Sequence, residues 1–183
     1  GLSQNENVDN ALIKLKEVLV GEDNYPKNII ELGTYRGGFS FLLKDTFPAS
    51  NVYTFDIGGN CDTQRLEIAA NVKAFVIDVF SKECENIVKE ILEKHGQSVL
   101  FCDNGYKIRE FNLFSAFLKS GDIILAHDYA PDVNYFNNFM FNKIWNWKEI
   151  EFNDIKDACQ IHNLQDFMSE EFLNAAWVCK RKQ

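Results

Sequence analysis

A chain of 183 residues, 46% hydrophobic and 14% aromatic, has the size of one packed domain and is too apolar to be disordered. Its formal net charge of −8 speaks against nucleic-acid partners, which call for a basic face. No apolar run approaches the roughly 20 residues of a membrane span. Five cysteines, Cys61, Cys84, Cys102, Cys159 and Cys179, match neither a disulfide framework nor zinc spacing, so a reducing cytoplasm is the expected setting.

Taken in order, Asn5–Val20 sets Val8, Leu12, Leu15 and Leu19 on one face and predicts a leading helix within residues 1–27. Ile29, Ile30 and Leu32 then form a short buried strand that runs into Gly33 and the Gly37-Gly38 pair. A helix carrying Phe41, Leu42 and Phe47 follows and stops at Pro48. Asn51–Ile57 is a second strand ending in Asp56, a short helix is expected around Arg65–Asn71, and Lys73–Phe80 is a third strand with Asp78 near its end.

Ser81–Gly96 has the clearest helical period, with Gly96 expected as its C-cap. Ser98–Asp103 is a strand, Ile108 to Leu118 a helix closed by Gly121, and Asp122–Asp128 another strand. Residues 129–174 are expected on the substrate side, where Phe136, Phe139, Met140, Ile144 and Trp147 fit a helical stripe and Tyr129 and Tyr135 could wall the substrate. Glu149–Phe152 and Ala175–Lys180 read as the final strands, and Lys180-Arg181-Lys182 as a solvated tail. Alternating strands and helices predict a single α/β domain over 1–183 with a parallel sheet.

In such sheets ligands sit beyond the carboxyl ends of the strands. Five successive strands deliver polar groups there: Glu31 with Gly33, then Asp56, Asp78, Asp103 and His127-Asp128. Packing alone does not produce such a series, because carboxylates do not belong in apolar runs.

The stretch Asn28–Ser40, NIIELGTYRGGFS, lacks the G-x-G-x-x-G of dinucleotide binders. It resembles motif I, E-x-G-x-x-x-G, of class I S-adenosylmethionine-dependent methyltransferases. The doubled glycine is most similar to the cephalosporin-hydroxylase and sugar O-methyltransferase branch. The likeness covers roughly Ile29 to Tyr129. It implies a Rossmann-like methyltransferase fold with a mostly parallel seven-stranded sheet in the order 3-2-1-4-5-7-6. It also implies S-adenosylmethionine bound by Glu31, Gly33, Thr34, Gly37, Asp56, Asp78 and Asp103. Glu31 would lie near the methionine amino group and Asp56 would accept the ribose hydroxyls. For Asp78, adenine contact and a helix-capping role weigh equally.

In metal-dependent relatives, aspartates matching Asp103 and Asp128 hold magnesium and the acceptor hydroxyl. Neighbouring strands lie about 4.8 Å apart, so two such carboxylates can reach one ion. The sequence departs from those relatives at Tyr106, in place of a histidine, at Tyr129 and at His127. The third ligand is then open among Asn104, Asp132 and Asn134. Candidate catalytic residues are His127, Asp128 and Lys107. Histidine is the natural base near neutrality, whereas Lys107 would need a lowered pKa and otherwise reads as a solvated helix-end lysine. The expected function is methyl transfer to a hydroxyl of a sugar or other small molecule, with or without magnesium; an oligomer is compatible with the sequence. A cofactor-binding partner module without turnover, and a nicotinamide-linked oxidoreductase, are the rival readings.

Overall fold

In a computed structural model, which describes residues 2–58, 67 and 70–183, seven strands form one sheet in the order 3-2-1-4-5-7-6. The strands are β1 (Asn28–Leu32), β2 (Asn51–Asp56), β3 (Val72–Val76), β4 (Ser98–Cys102), β5 (Ile123–Ala126), β6 (Leu164–Asp166) and β7 (Val178–Lys182). Five pair in parallel, while β7 lies antiparallel between β5 and β6. The helix expected around Arg65–Asn71 lies largely outside the described residues.

The central strands are apolar at consecutive positions because both faces of the sheet are covered. Ile29, Val52, Val99, Phe101, Ile123 and Leu125 face one layer, with Leu12, Leu15 and Leu19 of α1 (Leu2–Gly21) and Leu43 of α2 (Gly38–Thr46). Ile30, Leu32, Phe55, Leu100 and Ile124 face the other, against α3 (Lys82–Glu93), α4 (Lys107–Phe114) and α5 (Phe152–Ile161). Phe55, Phe101, Phe111 and Phe114 are fully buried, and losing any one such ring would cost about 3–5 kcal/mol.

Several boundaries differ from the sequence reading. Ser81 is the N-cap of α3, its side chain accepting the Cys84 N–H at 3.1 Å. Asp78 sits past the end of β3, where its carboxylate accepts the Phe80 N–H at 2.9 Å. The helix ends at Glu93 with Lys94 as C-cap in extended geometry, so Gly96 (φ 93) belongs to the turn into β4.

Glu149–Phe152 is not a strand. Ile150 makes one isolated bridge to Tyr129, and the sixth strand is Leu164–Asp166, too short to show alternation in the sequence. Nor is Lys180-Arg181-Lys182 a solvated tail. These residues lie in β7, where buried Lys180 pairs with Asp166 at 2.6 Å and Arg181 with Glu22 at 2.8 Å. The stripe over 131–147 also breaks. A helical turn, Val133–Tyr135, runs into a π-helix, Phe136–Met140, and leaves Phe139 and Trp147 exposed while Met140 is buried.

Gly33 ties β1 to β4. It has φ 106, and a Cβ there would lie 2.6 Å from the Asp103 carbonyl carbon and 2.7 Å from the Asn104 nitrogen. Neither backbone can retreat, because Asp103 N–H donates to Leu32 O at 2.9 Å. Gly33→Ala should therefore lose more than about 2 kcal/mol in urea unfolding. Gly38→Ala, with no atom within 4 Å of the added carbon and a place at the start of α2, should be neutral or gain up to about 1 kcal/mol.

Candidate active site

The turn after β1 is organised by polar contacts beneath it. Glu31 is fully buried and accepts hydrogen bonds from Ser40 of α2 and, at 2.6 Å, from Thr54 of β2. The Thr34 and Thr54 hydroxyls lie 2.6 Å apart, extending the chain of hydroxyls to the turn. Tyr35 (φ 45) and Gly37 (φ 78) give the turn its left-handed bends. Asp56, at the end of β2, accepts the Tyr35 N–H on Oδ2 at 2.8 Å and the Gly58 N–H on Oδ1 at 3.2 Å. Glu31, Gly33, Thr34, Gly37 and Asp56 thus gather around one turn, and Asp103 meets it through Gly33.

Burial pushes the Glu31 carboxyl up to about 8, against the pull of the Ser40 and Thr54 hydroxyls. Its Oε1 has no hydrogen-bond partner among the described residues. A buried carboxyl oxygen without a partner is costly, and a cation arriving beside it would both satisfy it and displace the proton. The ammonium of S-adenosylmethionine is such a group, and Asp56 retains lone pairs for hydroxyl donors. The residues present therefore fit that cofactor.

The second half of the site lies at the ends of β4 and β5. Asp103 Oδ1 is 3.1 Å from His127 Nδ1. A carboxylate can only accept, so Nδ1 carries the hydrogen and Nε2 is left as the acceptor nitrogen. Trp177 stacks on His127, with ring centroids 4.7 Å apart and planes 21° apart, and on Phe39 at 5.5 Å and 24°. Trp145 leans over His127 at 5.2 Å and gives its indole N–H to Asp128 Oδ1 at 2.5 Å. Val8, Phe39, Asp103, His127, Trp145, Ala175 and Trp177 line an open cavity of about 220 Å³.

Lys107 is buried, not solvated. Its ammonium lies 2.9 Å from Asp128 Oδ2, 3.4 Å from Glu149 Oε2, 3.7 Å from Asp103 Oδ1 and 2.8 Å from the Asn104 carbonyl. Burial alone would lower its pKa, but the hydrogen bond and charge of Asp128, with Asp103 and Glu149 behind it, more than reverse this, and the pKa is raised. Such a lysine stays protonated and does not serve as a base.

The expected magnesium pair meets the same obstacle. Asp128 spends one oxygen on Trp145 and the other on Lys107, and the ammonium fills the space between the carboxylates. Of the residues proposed as third ligand, Asp132 is engaged elsewhere, its carboxylate accepting the Tyr135 N–H, and Asn104 turns its backbone carbonyl to the Lys107 ammonium. Among the described residues, no group of three or more His, Cys, Asp or Glu side chains could hold an ion. The donor set does not fit magnesium as it stands.

Some residues of this site carried no readable sequence signal. Trp145, Trp177 and Glu149 come from segments read as helix, strand and strand. Glu110, on α4, is buried and accepts the N–H groups of Asn104 and Tyr106 at 3.3 and 3.2 Å, holding the loop that bears Asp103. Tyr129 and Tyr135 do not line the cavity. Tyr129 is packed in the core, and burial pushes its hydroxyl up to about 12.

The sheet order, the antiparallel seventh strand and a site at the strand ends define a Rossmann-like methyltransferase fold. The FtsJ-like methyltransferase family model matches residues 8–156, and the chain belongs to that family. No curated protein sequence matches the chain at a significant level. Solved structures share the fold at low identity. An O-methyltransferase family protein from Burkholderia thailandensis aligns over 96% of this chain at 10% identity and TM-score 0.57. The chain spans only 58% of that protein. The CmcI-N160 apo-structure aligns over 96% of this chain and 71% of its own, at 16% identity and TM-score 0.62. The plantazolicin methyltransferase BpumL, solved with a monoazolic desmethylPZN analog and SAH, aligns over 99% and 86%, at 8% identity and TM-score 0.56. Among the described residues, no helix is long and apolar enough to cross a membrane.

The buried acids make stability fall as pH rises. Glu31, at about 8, and Glu110, pushed by burial to about 7, hold protons that the unfolded chain releases near 4.5. The folded state binds more protons in that window, so the melting temperature should drop between about pH 5 and pH 8. In Glu31→Gln the drop should be shallower. An equal slope in the variant would mean that Glu31 is ionised in the folded protein.

Proposed function

We propose that the protein transfers the methyl group of S-adenosylmethionine to a hydroxyl of a small molecule, with His127 as the base. The observation that carries this is the His127–Asp103 pair on the wall of a cavity that also meets the glycine turn through Phe39 and Asp103. When bound, S-adenosylmethionine supplies an electrophilic methyl on its sulfonium. Glu31, Gly33, Thr34, Gly37 and Asp56 would hold it, with Asp78 beyond the third strand facing the adenine end.

The chemistry then asks for position and one proton transfer. His127 Nε2 would take the proton of the acceptor hydroxyl, freeing its oxygen for the electrophilic methyl that bound S-adenosylmethionine would supply before leaving as S-adenosylhomocysteine. Asp103 keeps the imidazole in the required tautomer and balances the charge that it gains. Phe39, Trp145 and Trp177 exclude water and present flat faces to a ring.

A cavity of this size suits a single-ring acceptor, and the net charge of −8 supports a small molecule rather than nucleic acid. The doubled glycine supports placing the chain near the cephalosporin-hydroxylase and sugar O-methyltransferase branch. No step is routed through magnesium, since the Asp128 oxygens and the space beside them are taken.

Calorimetry should detect S-adenosylhomocysteine binding, and Asp56→Ala should weaken it by on the order of 1.5–3 kcal/mol. NAD should not bind. On a panel of hydroxylated sugars and phenols, His127→Ala should lower kcat by about 10²–10⁴-fold with cofactor affinity kept. No binding by the wild type would end the methyltransferase reading. Binding without turnover on any acceptor would favour the partner-module alternative, and undiminished turnover in His127→Ala would remove that residue as the base.

A further inference from the structure

Lys107 sits where a divalent ion was expected, and its surroundings are those of an ion. Four oxygens surround the ammonium at 2.8–3.7 Å, from the Asn104 carbonyl and the carboxylates of Asp103, Asp128 and Glu149. They come from the end of β4, the end of β5 and the segment before α5, so one charge joins three parts of the chain. The lysine side chain is only 9% exposed. Removing a charge from water costs several kcal/mol, so an ammonium is kept in such a place only where its counter-charges surround it.

We propose that the Lys107 ammonium is the resident cation of this site and a positioning residue for it. It holds Asp103 where Asp103 orients His127, and it holds Asp128 where Asp128 fixes Trp145. Glu149 in turn anchors Lys107. Its Oε1 accepts the Lys107 backbone N–H at 2.7 Å, and its own N–H donates to the Asp128 carbonyl at 2.9 Å. Acidic Glu149 at the N-terminus of α4 is also favoured by the helix dipole.

One positive charge faces three carboxylates, so the cluster stays cation-seeking. A divalent ion is kept out because a fixed like charge occupies its place. Carboxylates are the ligand type that Mg²⁺ and Mn²⁺ take, and once the ammonium is gone those of Asp103, Asp128 and Glu149 are free to close in on an ion from an arrangement that does not itself hold one. Lys107 therefore does for this site what a metal does elsewhere, and its loss should uncover a metal site.

The test is Mn²⁺ binding, read by the electron paramagnetic resonance of free Mn²⁺ and by thermal melting, neither of which depends on turnover. Wild type should show no saturable binding at this site and no Mn²⁺-dependent rise in melting temperature. Lys107→Ala should bind Mn²⁺ at least about tenfold more tightly than wild type, because a like charge no longer occupies the place of the ion. That binding should vanish in Lys107→Ala/Asp128→Asn. Lys107→Gln, which keeps most of the side-chain volume, serves as the second variant if the alanine protein does not fold.

A folded Lys107→Ala or Lys107→Gln that binds Mn²⁺ no better than wild type overturns the proposal. So does a wild-type protein whose Mn²⁺ binding is lost in Asp128→Asn. A wild-type site that binds Mn²⁺ overturns the proposal whether or not either lysine variant folds.

Discussion

The buried ammonium of Lys107 is the charge around which the ends of β4 and β5 are arranged. Parallel strands end at the same edge of the sheet, and this sequence ends two neighbouring strands, β4 and β5, in aspartate. Two carboxylates brought together there repel each other unless a positive charge lies between them. The chain supplies that charge four residues after Asp103, from the first turn of α4, and ties it to Glu149 far along the sequence. His127 through Asp103, the indole of Trp145 through Asp128 and the loop after β4 through the Asn104 carbonyl are all linked to this charge.

The cofactor-side half is held differently. It contains no ion pair among the groups beneath the turn; a fully buried acid, Glu31, is held by two hydroxyls and keeps one oxygen without a partner. The two halves meet at Gly33, where the absence of a side chain lets the β4 end pass against the β1 end. The glycine is thus required by the protein's own backbone before any ligand is considered, a stricter reason than ligand approach.

What could be read in the sequence was local. Consecutive apolar residues in Asn28–Leu32 and Ser98–Cys102 announced strands covered on both faces, and the period of Cys84, Val88, Ile91 and Leu92 announced α3. The acids at the strand ends followed from the same runs, so Asp56, Asp103 and Asp128 could be placed before any coordinates. What could not be read was pairing between distant segments. Lys180 and Arg181 look like tail residues until Asp166 and Glu22 are brought beside them. Lys107 looks solvated until Glu149 closes over it. Trp145 and Trp177 become walls only when the 133–147 segment and the turn before β7 fold back over His127. No periodicity encodes such contacts, because they join segments whose separation is set by topology.

The position of β7 ties the acceptor cavity to the way the sheet is completed. β6 precedes β7 in the chain, yet among the described residues β7 is its only neighbour in the sheet, so its pairing waits until β7 lies along β5. Trp177 stands immediately before β7, and the Tyr129 N–H donates to the carbonyl of Ala176, so the arrival of that strand also sets the aromatic wall beside His127. Long-range pairing of this kind is slow compared with local helix formation. During folding, the glycine turn and its acids can assemble from the first half of the chain while the acceptor cavity is still open. The strands around the glycine turn are complete within the first half of the chain, whereas the aromatic wall beside His127 needs the strand that finishes the sheet.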